Sequence, residues 1–423
     1  MKLERHSAPY LQPRSFPTPV KGRLGLVCAG GGVTGAIYEI GALAAIEERL
    51  ENRSLTDFDV FVGVSAGSYI GALVANGVNP SVLYRNVTRA APWRTDLDDL
   101  ALFRLNLGEI ATRLASAPLT ILDAAWDFYK NPRETTLTDV VGSLGQLLPS
   151  GVFENTGLEH WMKNLLKQTG RTDDFRTLKK TLRIVAVDLD TGETTTFGAP
   201  GQDHVPISKA VSASCALPGL YRPVRINGVD YIDGGVRKTA HLSLSLRERC
   251  GLTLCVNPIV PIRFSHKAGI LPRMHGEEGA LRSRGLPTIL DQVFRVTLHS
   301  RMNYGMARYR REDPEADILV FEPHPEDLPR FMHSIMRTSG RVLIAEYAYR
   351  STMQALDADF RRFSRIFAKH GLKLRPACAV EPERCRLEAA RRHGPSSKRL
   401  AASLHALERD LDAMTAAKLR RAG

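Results

Sequence analysis

Gly63-Val64-Ser65-Ala66-Gly67 sets a serine between two glycines in a G-x-S-x-G pentapeptide. Residues 58–62 before it are apolar but for Asp59 and partly β-branched, and residues 68–75 after it are small and helix-compatible. A serine at a sharp strand-to-helix turn is a nucleophile elbow: its Oγ stands above the sheet edge, and the flanking positions have little room for side chains. The helix N-terminus behind it favours negative charge. The chemistry this setting allows is acyl transfer through Ser65. A plain small-residue turn is the alternative, and the flanking pattern weighs against it.

A second glycine cluster supplies what such a nucleophile needs. Residues 24–29 are strand-like and run into Gly30-Gly31-Gly32, after which Ile37, Ile40, Leu43, Ile46 and Leu50 recur at helical spacing. Free backbone N–H groups at a helix start can receive a tetrahedral oxyanion. Gly30, Gly32 and Gly35 also fit the G-x-G-x-x-G dinucleotide fingerprint, with Asp57 or Asp59 as the ribose acid. Both acids stand at the start of the next strand, the wrong end of a sheet for a ligand. The oxyanion reading is the stronger one.

The nucleophile also needs a base. Asp233 follows an apolar step and precedes Gly234 and Gly235, and an Asn227-Gly228 turn before it predicts a hairpin. A Ser–His–Asp hydrolase would place its histidine after the acid. His241 is nearest, with His266, His275, His299, His324, His333 and His370 following. None lies in a glycine-framed loop, and all are expected on the surface or on helix faces.

Gly-Gly-Gly, then Gly-x-Ser-x-Gly, then Asp-Gly-Gly, with Ala213-Ser214-Cys215-Ala216-Leu217-Pro218-Gly219 between, resembles the patatin-like phospholipase family of serine lipid acyl hydrolases. The resemblance covers residues 24–236, and more loosely extends to about 359. It implies a three-layer α/β/α fold with a mostly parallel sheet, and hydrolysis of phospholipid or lysophospholipid esters. On matching positions it makes Ser65 the nucleophile and Asp233 its base in a dyad without histidine. Gly30, Gly31 and Gly32 then line the oxyanion hole, chiefly through the last two. Gly35, Gly63, Gly67, Gly234 and Gly235 frame the elbow and dyad. The family usually carries Arg or Lys where this chain has Thr34. No cofactor or metal is implied.

The wider chain must position these groups. Its 423 residues are 43% hydrophobic and 24% charged, with a net charge of +13. There is no uncharged apolar run long enough to span a bilayer and no secretory apolar region at the start, so a cytoplasmic protein is expected. Six scattered cysteines, Cys28, Cys215, Cys250, Cys255, Cys378 and Cys385, suggest neither zinc nor a disulfide framework. We expect an extended arm over 1–22, a catalytic domain over 23–374 and a basic helical tail over 375–423. Within the domain, 98–170 reads as a helical insertion or lid, in which Leu119, Leu122, Trp126 and Tyr129 could wall an acyl chain. Strands are expected at 252–256 and 317–321, and helices at 289–311 and 330–365. Residues 361–423 hold sixteen Lys and Arg against six Asp and Glu. A basic amphipathic tail of that kind suits the surface of an anionic membrane. No nucleic-acid motif accompanies the charge, and nothing in the sequence sets the oligomeric state.

Overall fold

The apolar runs of the first half become adjacent parallel strands. The computed structural model describes residues 16–88, 104–130, 147–263, 285–324 and 340–376. Strand β1 is Val20–Cys28, followed by helix α1, Gly32–Arg49. Strand β2 is Val60–Val64, followed by α2, Ala66–Ala75. β2 is buried along its whole length, because a parallel strand covered on both faces reads as a continuous apolar run.

Eight further strands follow among the described residues. They are β3 Gly151–Phe153, β4 Thr181–Asp188, β5 Thr194–Phe197, β6 Gly219–Tyr221, β7 Val224–Ile226, β8 Val229–Asp233, β9 Cys250–Val256 and β10 Asp317–Phe321. The main sheet runs β10-β9-β1-β2-β4-β8-β7, with β5 also on β4. Pairings from β10 to β4 are parallel; β8, β7 and β5 pair antiparallel. Asn227 and Gly228 both hold positive φ, the type I′ geometry expected for the β7–β8 hairpin.

The register around β4 matters most for the site. Val64 of β2 pairs with Val185, and Asp233 of β8 pairs with the next residue, Ala186. Thr181 N–H donates to Asp59 and Leu189 N–H donates to Asp230, while the even-numbered Asp188 donates to Glu193 on the β5 side. Alternate N–H groups point to opposite edges of a strand. β2 and β8 therefore occupy consecutive stretches of one edge of β4. Their C-terminal ends meet head to head, at Ser65 and Asp233.

Helices cover both faces in a three-layer α/β/α arrangement. On one face α1 packs against Arg341–Ala358. The approach is close, since a Cβ on Gly41 would lie 2.3 Å from the Ala345 carbonyl oxygen. On the other face Val27, Ala29, Val60 and Val62 pack with Leu242 and Leu246 of Leu242–Arg247, and with Met302, Met306 and Tyr309 of the long helix Leu286–Glu312.

Several expectations need correcting. The 98–170 stretch is not uniformly helical: Leu107–Lys130 and Thr156–Leu166 are helices, but β3 lies between them. β3 exists because β6, distant in sequence, supplies its hydrogen bonds. The expected helix at 330–365 is two helices in its described part, Arg341–Ala358 and Phe360–Lys369, parted at Asp359 with φ −128°. β1 begins at Val20, within the stretch read as an arm, because Val20 N–H finds the Arg249 carbonyl at 2.8 Å. Residues 1–15 and the expected tail helices lie outside the described residues. No helix among the described residues is long and apolar enough to cross a membrane.

Candidate active site

Ser65 caps α2 with φ 53° and ψ −130°, a left-handed backbone that few non-glycine residues hold. Neighbours on both sides fix it. Its N–H donates to Ser214 Oγ at 2.8 Å, and Ser214 Oγ donates to the Val185 carbonyl at 2.6 Å. Its carbonyl accepts from Ser68 N–H at 2.8 Å and from Ser68 Oγ at 2.6 Å. The elbow glycines are required by close approach. A Cβ on Gly67 would lie 2.3 Å from the Cys28 carbonyl oxygen, and one on Gly63 would lie 2.4 Å from Ser68 Cα.

Asp233 ends β8 and caps the short turn Gly234–Val236. Its Oδ2 accepts the Ser65 hydroxyl at 2.5 Å, and its Oδ1 accepts the Gly235 N–H at 2.7 Å. The carboxyl is 2% exposed. Burial pushes its pKa up to about 6, against the opposing pull of the Ser65 and Gly235 hydrogen bonds. Gly234 has no room for a side chain, because Val185 O would stand 2.3 Å from its Cβ.

The glycine loop lies beside this pair. A Cβ on Gly30 would sit 3.2 Å from Ser65 Cβ. Gly30 N–H donates to the Thr239 carbonyl at 3.0 Å, which corrects the expectation that all three glycines offer donors. Among the described residues, the N–H groups of Gly31 and Gly32 meet no backbone carbonyl. Gly35 N–H closes the first turn of α1 on the Gly31 carbonyl at 2.9 Å.

These groups line a cavity of about 30 Å³ with Leu217, Ile259, Asp291, Phe294, Arg295 and Leu298. That is room for one or two waters. An acyl ester cannot enter it without displacing apolar side chains. Of the expected acyl wall at 119–129, Leu122 is exposed, and the side chains of Leu119, Trp126 and Tyr129 lie outside the described residues.

Arg295 was not singled out by the sequence. It sits in the expected 289–311 helix, where an arginine reads as part of a solvated face. In the structure it is 1% exposed and lines the cavity beside Ser65 and Asp233. Its Nε donates to Asp291 Oδ2 at 2.8 Å, while Nη1 and Nη2 are buried with no partner among the described residues. Thr34, where the family carries a cation, is buried in the first turn of α1. A cation thus reaches this cavity from a distant helix. In the sequence Ser214 is one residue of the Ala213–Gly219 motif, and its role as the clamp on Ser65 arises only in the fold.

The histidine expectations are corrected at two positions. His241 and His370 are buried, not surface groups. His370 Nε2 lies 2.8 Å from Asp317 Oδ2. Burial pushes His241 down to about 3, helped by Lys238 and Arg237 and opposed by a hydrogen bond to the Gly234 backbone. Among the described residues, no histidine bonds Ser65 or Asp233. His266, His275 and His333 lie outside them. The four described cysteines are free thiols, and Cys378 and Cys385 lie outside the described residues.

The chain is similar to several known proteins. The chain is 24% identical over 234 residues to the uncharacterized protein YqhO of Bacillus subtilis (strain 168), a match covering 53% of this chain and 67% of that protein. It is 21% identical over 248 residues to the probable lipid hydrolase 463L of Invertebrate iridescent virus 6, covering 58% and 69%. Among solved structures, VipD from Legionella pneumophila aligns with 81% of this chain and 68% of its own, at 15% identity and a TM-score of 0.36. The type III effector ExoU aligns with 81% of this chain and 54% of its own, at 16% identity and a TM-score of 0.34. The sequence profile of the patatin-like phospholipase family matches residues 26–242, from β1 through the segment after Asp233. That span is just over half of the chain, and it carries the elbow, the glycine loop and Asp233 together: the chain belongs to the patatin-like phospholipase family.

Proposed function

We propose that the protein hydrolyses carboxylic esters of phospholipids or lysophospholipids through an acyl-enzyme at Ser65. The observation that carries this reading is the direct 2.5 Å contact between Ser65 Oγ and Asp233 Oδ2. A carboxylate is an effective base for a hydroxyl only when its basicity is raised, and burial does that here. Asp233 takes the Ser65 proton as Oγ attacks the ester carbonyl. The oxygen that gains charge is received by the N–H groups of Gly31 and Gly32. Arg295 stands beside them as the cation that the Thr34 position does not supply. Collapse expels the alcohol, which takes the proton from Asp233. Water then attacks the acyl-serine with Asp233 again as base. The Gly235 N–H holds the other carboxylate oxygen throughout, so the base keeps its direction. The positive surplus over 361–423 supports contact with anionic membrane surfaces.

A fluorophosphonate probe is expected to label the protein once, at Ser65. Ser65→Ala should remove both the label and phospholipid hydrolysis while leaving the melting temperature close to that of the wild type. Label on another residue, or hydrolysis that survives in Ser65→Ala, would refute the reading.

The pH profile gives a second test. With its pKa at about 6, Asp233 is protonated below that pH and cannot accept the Ser65 proton. For a soluble neutral ester, kcat/KM should fall about tenfold per pH unit on the acid side of pH 6. A profile flat from pH 5 to 8 would contradict a carboxylate base of this kind.

A further inference from the structure

The Leu286–Glu312 helix has its faces the wrong way round for a surface helix. At about 100° per residue, Leu286, Ile289, Leu290, Val293 and Val296 fall on one stripe, and Asp291, Arg295, Leu298, Met302 and Tyr309 on the opposite one. The second stripe faces the protein: Arg295 and Leu298 line the cavity beside Ser65 and Asp233, and Met302 and Tyr309 join the core. The first faces outward, and its side chains are 39–65% exposed. Scattered exposed aliphatics are ordinary, but a contiguous run of them on one face marks a contact surface.

The outer face also changes character along its length. Among the described residues of 286–300, those exposed carry no charge: the five aliphatics, Thr297 and Ser300. Beyond them the same face exposes Arg301, Tyr304 and Arg311, with Tyr304 at 76%. Aliphatic side chains at one end, then a tyrosine among arginines, match the depth profile of a lipid surface: acyl chains first, then the interface and its anionic headgroups. A protein partner is matched less well. Protein interfaces are anchored centrally by aromatic and arginine side chains within a polar rim; here the centre is aliphatic and those residues lie to one end.

Position adds a second argument. The turns that carry the aliphatic stripe also cover the cavity beside Ser65, through Phe294, Arg295 and Leu298. Gln292 ties them to the loop after β9: its side chain accepts the Ile262 N–H at 3.0 Å and donates to the Ile262 carbonyl at 2.9 Å. Arg263, the next residue of that loop, is exposed, so a further cation stands near the stripe.

We propose that the first half of this helix docks into the acyl region of a phospholipid surface, with Arg263, Arg301 and Arg311 at the level of its anionic headgroups. The inference rests on the proposed function for the lipid class of the substrate, and it assigns to these turns the contact that brings Ser65 to the lipid.

Vesicle sedimentation of the full chain as Ser65→Ala, which under the proposed function leaves the vesicles unhydrolysed, tests it. The probes are phosphatidylcholine vesicles with and without phosphatidylglycerol, in about 0.15 M salt. Adding Leu290→Gln/Val293→Gln should weaken binding to both at least about tenfold. Adding Arg311→Gln should weaken it about threefold, and only where phosphatidylglycerol is present. Melting temperatures close to the parent's show that the variants fold. Should Leu290→Gln/Val293→Gln fold poorly, Val293→Trp carries the test in the opposite sense, with binding tightened about threefold. No vesicle binding by the parent, or binding unchanged in the folded aliphatic variant and hence due to another surface such as 361–423, would overturn the docking. A parent that is dimeric and becomes monomeric in that variant would make the stripe a contact between copies and overturn it as well. Hydrolysis of a soluble neutral ester by the wild type, lost in Ser65→Ala, reports on the proposed function separately, so the two can fail independently.

Discussion

Asp233→Asn is expected to lower kcat by about 10³–10⁴-fold while raising the stability of the fold. The activity loss follows because an amide cannot take the Ser65 proton. The stability gain comes from the same burial that makes the carboxylate a base. The carboxyl is pushed up to about 6 when folded, against 3.8 for an ordinary aspartate, so the folded chain holds this proton more tightly than the unfolded chain does. Stability from this group is therefore fully present below the unfolded value and declines as pH rises toward 6; at neutral pH the charged carboxylate is a net burden. About two pKa units correspond to roughly 3 kcal/mol. Asparagine keeps an acceptor for Gly235 N–H and carries no charge. Urea denaturation at pH 7 should show a gain of about 2–3 kcal/mol that shrinks toward pH 4. A variant that is less stable at pH 7, or that retains near-normal turnover, would remove Asp233 from the role of buried base.

Arg295→Met is expected to lower kcat by about 10²-fold on phospholipids and on uncharged esters alike, with a small change in KM. The loss is in kcat because the guanidinium meets charge that develops only during attack. Arg295→Lys keeps the charge without the planar fork and should recover part of the loss. The methionine variant should fold at least as well as the wild type, since it removes two buried nitrogens that have no acceptor among the described residues. Kinetics on a phospholipid and on a short neutral ester decide the matter. A loss confined to the phospholipid, seen mainly in KM, would make Arg295 a reader of the substrate phosphate instead.

The parts of this site legible in the sequence are those where backbone geometry restricts residue type locally. Gly63 and Gly67 are demanded by contacts across one tight turn, so the pentapeptide announces itself. Asp233 was marked by the glycines after it and by the hairpin before it. Arg295 carried no such mark, because its meaning comes from a helix folded across the sheet from a point far along the chain. Ser214 was hidden for the same reason: its hydroxyl joins Val185 to Ser65, and neither partner is near it in sequence. Gly31 and Gly32 were expected to lead over Gly30 in the oxyanion loop, but the reason, Thr239 occupying the Gly30 N–H, lies in a distant segment. His241 and His370 sit in polar surroundings along the chain, and only the packing of other elements buries them. β3 was missed because three residues show no periodicity of their own; the strand is made by its partner β6.

A backbone at φ 53° is one that glycine fills without strain and serine does not. Random substitution tends to relax such a position, since most chains sit close to a stability threshold and gain from any release of local strain. A lineage that had stopped using this turn would relieve the backbone strain with glycine at position 65, and would give up the hydroxyl that Asp233 accepts. Under the proposed function, Ser65 is then the one elbow residue that the chemistry asks for where the backbone alone would take glycine.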